Sequence, residues 1–308
     1  MAFTGSPWSG APPSPGEPPA AAARWDDLVE SLRAGAVPAA IRRRLEGARA
    51  ARLPWTATLT PAELLIAQRH GLRPIAAVSA TCWLYYGWSW TEGHRQGWEA
   101  ALRRLREEAK AAGANAVLDV KMRTVRLPVA DSMDFTLIGT AVAVEGLPAS
   151  PEPVIATVPA LEFVKLIEAD VVPSGIAVGT AYDVLMDLWG ATQLALMGNV
   201  ESTLLSQFWE RLRRRAQAAL RASAAGQGNG VLAHVNFSEM RVLPGDDNQP
   251  KRYLGRHIVV ATTVDARRGD PLPHDIGMVV DMCAGATKLT GRRAHHQSYA
   301  SDDREGAI

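Results

Sequence analysis

The chain has 308 residues, 47% hydrophobic and 21% charged, a composition typical of a globular protein with a buried core. Thirty-three Lys and Arg against 32 Asp and Glu leave a formal charge of +1, which argues against nucleic acid or an acidic membrane surface as the main partner. Two cysteines, Cys82 and Cys283, are too few for a disulfide scaffold and indicate a reducing compartment. We recognise no secretory signal and no apolar run long enough to span a membrane, so the sequence predicts a cytoplasmic protein.

Changes in composition and periodicity divide the chain into five segments. The ends are rich in Pro, Gly, Ser and charged residues and predict disordered or flexible tails, although the C-terminal one contains a short apolar stretch at 276–282. The segments are a tail at 1–23, a helical segment at 24–55, two similar units at 56–148 and 154–266, and a flexible tail at 267–308.

The two central units are related by an internal repeat. In the first unit, Thr60, Pro61 and Glu63 predict a capped helix start, and Pro74 precedes a short strand. About a hundred residues later a similar helix is followed by Pro173 and another strand. This recurrence indicates two copies of one structural unit.

Each unit continues with a long amphipathic helix and two strands. Residues 98–112 place Trp98, Leu102 and Leu105 on one helical face, and residues 116–125 alternate as a half-buried strand does. A second apolar strand follows after a turn. In the second unit the residues predicted to face inward from the long helix are Phe208, Leu212, Ala216, Ala219 and Ser223. The order helix, strand, helix, strand, strand predicts an α+β fold in which the long helix covers one face of a small antiparallel sheet.

The segments AKAAGANAVLDVKM and TLIGTAVAV resemble the YbjQ family, small bacterial proteins labelled heavy-metal-binding domains. Residues 74–144 match the family pattern well, and residues 172–264 match it more loosely. The resemblance implies two tandem β-α-β-β units with a dodecin-like subunit fold. It also implies assembly into homo-oligomeric rings, which are pentamers in the single-domain relatives.

An aromatic stretch, CWLYYGWSW, lies between the first strand and the long helix and is predicted to be a loop. Its aromatic residues are Trp83, Tyr85, Tyr86, Trp88 and Trp90. These rings suit a subunit interface, because Trp and Tyr bury much area at low entropy cost. They also suit stacking on a flat ligand, as in dodecins, or docking at a membrane surface.

Other candidate functional residues are scattered. Cys82 and His94 lie twelve positions apart, and His234 and His257 lie on two strands expected to pair, so a weak divalent-metal site is one interpretation. We find no nucleophile elbow and no Cys beside a His at a helix start, so the sequence does not predict an enzyme. The run RLRRR, which begins at Arg211 and ends at Arg215, is either a solvated helix face or a contact for an acidic partner.

These observations favour a non-enzymatic scaffold or structural protein that forms a homo-oligomeric ring from its own copies. The tails offer a further route to a protein partner. The alternative is a protein that binds a metal or a small aromatic ligand through the Trp-rich stretch or the scattered Cys and His residues.

Overall fold

A computed structural model describes residues 19–85, 89–127, 132–187, 202–243 and 250–266. The predicted α+β class is confirmed, with six helices and two sheets in these ranges. The helices are α1 (Pro19–Ala34), α2 (Ala39–Arg49), α3 (Pro61–Arg69), α4 (Trp90–Ala111), α5 (Ala160–Glu168) and α6 (Thr203–Ala224). The strands are β1 (Leu72–Tyr85), β2 (Ala116–Leu127), β3 (Ser132–Val144), β4 (Val154–Ile155), β5 (Val171–Asp187), β6 (Gly230–Leu243) and β7 (Lys251–Ala266). No helix of the described ranges is long and apolar enough to cross a membrane.

The N-terminal helices precede the first sheet. α1 begins at Pro19, inside the segment predicted as a tail, and contacts α2. The backbone N–H of Ala39 at the start of α2 donates to the Asp27 carboxylate at 2.9 Å, which joins the two helices. Leu45 on α2 is fully buried, so this helix contributes directly to the main core.

Local sequence determines the start of α3. The Thr60 side chain accepts a hydrogen bond from the backbone N–H of Glu63, and the Glu63 carboxylate accepts one from the Thr60 N–H at 2.8 Å. This reciprocal pair is the predicted capping box, and Pro61 occupies the first turn. After the helix, Gly71 adopts a φ of +72°, which turns the chain into β1.

The first sheet, which we call sheet A, has the strand order β1-β3-β2-β4. Its three long strands are antiparallel, and β4 adds a two-residue parallel pair beside β2. Because side chains alternate along a strand, β1 turns Val78, Ala80 and Cys82 into the core beneath α4. Trp98 on α4 is only 1% exposed, in agreement with the predicted apolar stripe.

The second sheet, sheet B, has the order β5-β7-β6 and carries α6 on one face. The helix approaches closely at Gly179, where a Cβ atom would lie 2.1 Å from the carbonyl oxygen of Ala216. The buried residues of α6 are Phe208, Leu212, Ala216, Leu220 and Ala224. The prediction that Ala219 and Ser223 face inward was wrong, because the sheet packs against a single row of residues spaced four apart along the whole helix. The Ser223 hydroxyl instead accepts a hydrogen bond from the N–H of Val178 at the edge of β5.

The long helix α4 lies between the two sheets. Ile176 on β5 and Ile258 and Val260 on β7 belong to the same core cluster that α4 forms with sheet A. Near the start of the helix, the Thr180 hydroxyl points to the carbonyl oxygen of Thr91 at 3.5 Å. Sheet B is therefore covered by α6 on one face and by α4 of the preceding unit on the other.

The segment that joins the two units is held by side-chain hydrogen bonds. The N–H of Thr157 donates to the hydroxyl of Thr262 at 3.0 Å, and the two hydroxyls lie 2.8 Å apart. Thr58 makes the same pair of contacts with Thr140 in sheet A. The chain thus anchors the segment before α3 and the segment before α5 to their respective sheets in the same way.

Candidate functional site

The aromatic stretch is divided among three places instead of forming one predicted loop. β1 continues to Tyr85, which pairs with Ser132 of β3, so Trp83 and Tyr85 are strand residues. Trp90 is the first residue of α4. Tyr86 and Trp88 lie outside the described residues. Strand alternation then puts Trp83 and Tyr85 on the face of sheet A opposite α4.

That outer side of sheet A, which we call the exposed face, carries a patch of apolar residues. Trp83 is 36% exposed, Tyr85 41% and Ile138 39%. The Trp83 and Tyr85 rings stack, with centroids 6.3 Å apart and planes inclined by 22°. On the neighbouring strands the exposed face includes the polar or charged side chains of Lys121, Arg123, Asp134 and Thr136. The patch is apolar at the β1 edge and charged towards β2.

Trp90 turns the other way, into the junction between the two units. Its ring lies 5.5 Å from the Tyr182 ring of β5. Beneath it, His94 is fully buried and has both ring nitrogens engaged: Nδ1 lies 3.0 Å from the Trp90 carbonyl oxygen, and Nε2 lies 2.5 Å from the Tyr182 hydroxyl. A carbonyl can only accept, so Nδ1 donates and Nε2 accepts the Tyr182 proton. Tyr182 and His94 therefore join unit two to unit one.

Burial determines the protonation states at this junction. It lowers the pKa of His94 to about 3, with a smaller contribution from Arg256, while the hydrogen bond to the Trp90 carbonyl opposes the shift. Burial likewise raises the pKa of the Tyr182 hydroxyl, against the attraction of Arg256. Both groups are neutral at pH 7. The junction is therefore a neutral hydrogen-bonded pair.

Arg256 extends the junction on the sheet B side. Its Nη2 lies 2.6 Å from the Glu239 carboxylate, and its Nη1 lies 3.8 Å from the Met133 sulfur of sheet A. The guanidinium is only 16% exposed, so Glu239 balances a largely buried charge. Sequence reasoning missed this arrangement, because Met133 lies more than a hundred residues before Glu239 and Arg256 and only the packing of the two sheets brings it to them.

The two sheets present equivalent positions in different surroundings. Both β1 and β5 have a register shift next to a proline, which is Pro74 in β1 and Pro173 in β5. Trp83 lies nine residues after Pro74, and Tyr182 lies nine residues after Pro173. Tyr182 is covered by α4 and is 8% exposed, whereas Trp83 faces outward. The exposed face of sheet A is thus the counterpart of the face that sheet B buries within the chain.

The candidate metal ligands do not converge. Cys82 is buried on β1, and burial raises the pKa of its thiol, although Arg104 and Arg103 partly counter this. His94 uses both nitrogens at the junction. His257 lies opposite Ser238 on β6, whose hydroxyl is 2.6 Å from His257 Nδ1. The strand of His234 does pair with that of His257, but its side chain is outside the described part.

A metal centre is therefore not supported by these residues. A protonated thiol and a histidine without a free lone pair are poor ligands. No group of three or more His, Cys, Asp or Glu side chains in the described ranges is arranged to hold a metal ion.

Comparison with known proteins identifies one family. The YbjQ family described as "Putative heavy-metal-binding" matches residues 88–145, which span α4, β2 and β3. The match covers 58 of the 308 residues, and so it characterises this segment of the first unit. No curated protein and no solved structure matches the chain.

Proposed function

We propose that this protein is a non-enzymatic assembly protein whose chains join head to tail into a closed homo-oligomeric ring. One observation carries the proposal. The face around Tyr182 in sheet B is covered by a helix of the preceding unit, while the equivalent face around Trp83 in sheet A is exposed. An exposed patch with Trp and Tyr is typical of an interface.

The outer side of α6 supplies a partner for this face. On α6, Trp209 directly follows the buried Phe208, and on α4, His94 directly follows the buried Gly93. Trp209 contacts His257 of sheet B, and His94 contacts Phe135 at the equivalent position of sheet A. If the packing inside the chain is repeated between chains, α6 of one copy covers the exposed face of the next. Trp209 then approaches the neighbour's Trp83 as His94 approaches Tyr182.

Charge supports the same pairing. Asp134 lies on β3 eight residues before Val142, and Arg256 lies on β7 eight residues before Val264. Because Val142 and Val264 occupy equivalent positions in the two sheets, Asp134 and Arg256 do so as well. The exposed face thus has a carboxylate where the internal junction has a guanidinium. On α6, Arg211 and Arg215 pair with Asp183 of their own chain. Arg213, one turn after Trp209 on the same helix, would instead face that carboxylate of the neighbour. Opposite charges guide the register of an interface.

A head-to-tail contact closes into a ring or continues as a filament. The element order α3-β1-α4-β2-β3 recurs as α5-β5-α6-β6-β7, which supports a second YbjQ-like, dodecin-like unit at 154–266. Since the resemblance implies pentamers of single units, we propose five chains that contribute ten units.

Light scattering and native mass spectrometry test the assembly. The wild-type protein at micromolar concentration should have a mass of about 165 kDa, five times the 33.1 kDa chain. Trp83→Glu and Trp209→Glu should each give folded monomers, because each destroys one side of the interface. Val242→Glu, at a 51% exposed position of sheet B, is the matched control and should keep the ring.

Mixing the two variants tests the polarity of the contact. Each variant keeps one intact surface, so a head-to-tail interface predicts a heterodimer of about 66 kDa and nothing larger. A face-to-face contact between two sheets would instead leave Trp209→Glu fully assembled. A monodisperse 33 kDa wild-type protein would contradict the proposal altogether.

A second candidate function rests on the stacked Trp83–Tyr85 pair. Two nearly parallel rings on an exposed strand offer a stacking surface for a flat aromatic ligand. Absorbance above 320 nm and elemental analysis of the purified protein test for a bound chromophore or metal. Loss of a chromophore from Trp83→Ala with the oligomer intact would favour this function over assembly.

A further inference from the structure

A large apolar groove lies on the first unit, away from the exposed face. It has a volume of about 1240 Å³ and is formed by the end of α2, the helix α3 and the adjoining ends of β1 and β3. Its most exposed apolar members are Leu53, Trp55, Leu65 and Leu147, which are 45–65% exposed. Apolar area of this size and continuity is typical of a docking surface.

The groove is formed by well-placed backbone. The side chain of Leu53 lies directly over Gly47 of α2, where a Cβ atom would come within 2.7 Å of it. At the opposite wall, the carbonyl oxygen of Gly71 accepts the N–H of Glu145 at 2.7 Å, which ties the end of α3 to the end of β3. The walls are thus held at a set separation by packing and by a backbone hydrogen bond.

We propose that this groove binds the C-terminal segment 276–282 of the same chain, sequence IGMVVDM. The described structure ends at Ala266, and residues 267–308 follow it. Within those residues, 276–282 is the stretch with the highest apolar content, with Ile276, two methionines and two adjacent valines. Methionine adapts well to irregular apolar surfaces.

The point at which the chain leaves the described structure is near the groove. Ala266 pairs with Val171 at the start of β5, three residues after Glu168. Glu168 in turn contacts His70 at 3.4 Å, and His70 is adjacent to Gly71, which lines the groove. The pairing of Ala266 with Val171, the three-residue step from Glu168 to Val171, and the contact between Glu168 and His70 each cover about 10 Å or less. The groove therefore begins within about 30 Å of Ala266. The nine residues from 267 to 275 span about 30 Å when extended, and so segment 276–282 can reach it.

Charge agrees with this occupant. Asp275 precedes the apolar segment, and Asp281 lies near its end. The lining of the groove includes two guanidiniums, Arg52 and Arg73, and one carboxylate, Glu145. Two carboxylates that flank an apolar segment can therefore meet two guanidiniums of an apolar groove, and this charge complementarity favours the segment as the occupant.

Disulfide trapping in the full chain tests the proposal. Cys283 directly follows the segment, and Leu65→Cys introduces a thiol into the groove at a position that is 65% exposed. Cys82 is buried and does not compete. Under mild oxidation at about 1 μM protein, we expect a disulfide within one chain between position 65 and Cys283, identified by peptide mass mapping. Docking holds the two thiols together far beyond the millimolar effective concentration of a free tether.

The matched control is Ile167→Cys on α5, a 44% exposed position that lies closer to Ala266 than the groove does. An undocked tail would react with position 167 at least as fast as with position 65. We expect position 65 to react about tenfold faster, and we expect Val279→Asp, but not Ala294→Asp, to remove that advantage. Equal rates at 65 and 167 would overturn the proposal. Disulfides between two chains would overturn it in favour of docking to a second copy.

Discussion

His94 should make the stability of the folded protein depend on pH. Burial lowers its pKa to about 3, from an ordinary value of 6.5. Between these values the unfolded chain binds a proton on His94 that the folded chain does not bind, so the free energy of unfolding falls as the pH decreases. At somewhat over 1 kcal/mol per pH unit, the two units from pH 6.5 to pH 4.5 remove about 3 kcal/mol. The loss levels off below about pH 3, when the folded state also protonates.

Other buried groups alter the total curve, so the prediction is a comparison between proteins. Burial also lowers the pKa of His257, which adds to the loss, while burial raises the pKa values of Glu108 and Asp119, which gain stability on acidification. His94→Gln does not titrate and keeps a donor and an acceptor near the Trp90 carbonyl and the Tyr182 hydroxyl. The difference between wild type and this variant isolates the contribution of His94.

Urea unfolding at pH 7.0, 5.5 and 4.5, followed by circular dichroism at one protein concentration, measures this difference. His94→Gln will be less stable than wild type at pH 7, because it replaces a buried ring. The gap should close by about 3 kcal/mol at pH 4.5. If both proteins lose stability in parallel from pH 7.0 to 4.5, His94 is not the buried neutral donor and acceptor that the structure shows.

Three further changes test the packing. Gly179→Ala should cost about 3 kcal/mol in urea unfolding, because its Cβ would overlap the carbonyl oxygen of Ala216, and an unchanged midpoint would show that α6 does not pack on β5 there. Trp98→Ala should cost about 3 to 5 kcal/mol, whereas Trp55→Ala at a 53% exposed position should cost under about 1 kcal/mol; equal costs would contradict the assigned burial. Removal of residues 297–308 should change the melting temperature by less than about 5 °C in calorimetry, and a larger drop would mean that this end packs against the fold.

Much of the fold follows from local sequence. Thr60 and Glu63 specify the start of α3 through bonds only three residues apart, so neighbours in sequence suffice to predict them. The alternation along β2 and the apolar stripe of α4 from Trp98 onward likewise reflect one element and one buried face. The recurrence of the whole pattern a hundred residues later predicts two similar units.

The limits of α4 and β1 were harder to predict. Both elements extend into the aromatic stretch, since Trp83 and Tyr85 are held in β1 by pairing with β3, about fifty residues away. Aromatic residues suit a strand, a helix start or a loop equally well, and the partner strand decides among them. The sequence therefore predicts a loop where the structure has the end of β1 and the start of α4.

The candidate site itself was decided by tertiary structure. The sequence offered His94 as a weak metal-ligand candidate or an ordinary surface or core residue, and only the packing of α4 between two sheets places the Tyr182 hydroxyl, 88 residues away, on its Nε2. The same packing makes the Tyr182 face of sheet B internal and leaves the equivalent Trp83 face of sheet A exposed. Periodicity reports that an element has a buried side, because burial of apolar area is a local requirement. The neighbour that covers that side depends on how two units distant in sequence pack against each other. The same packing decides which of two equivalent sides stays uncovered, and it exists only in the folded chain.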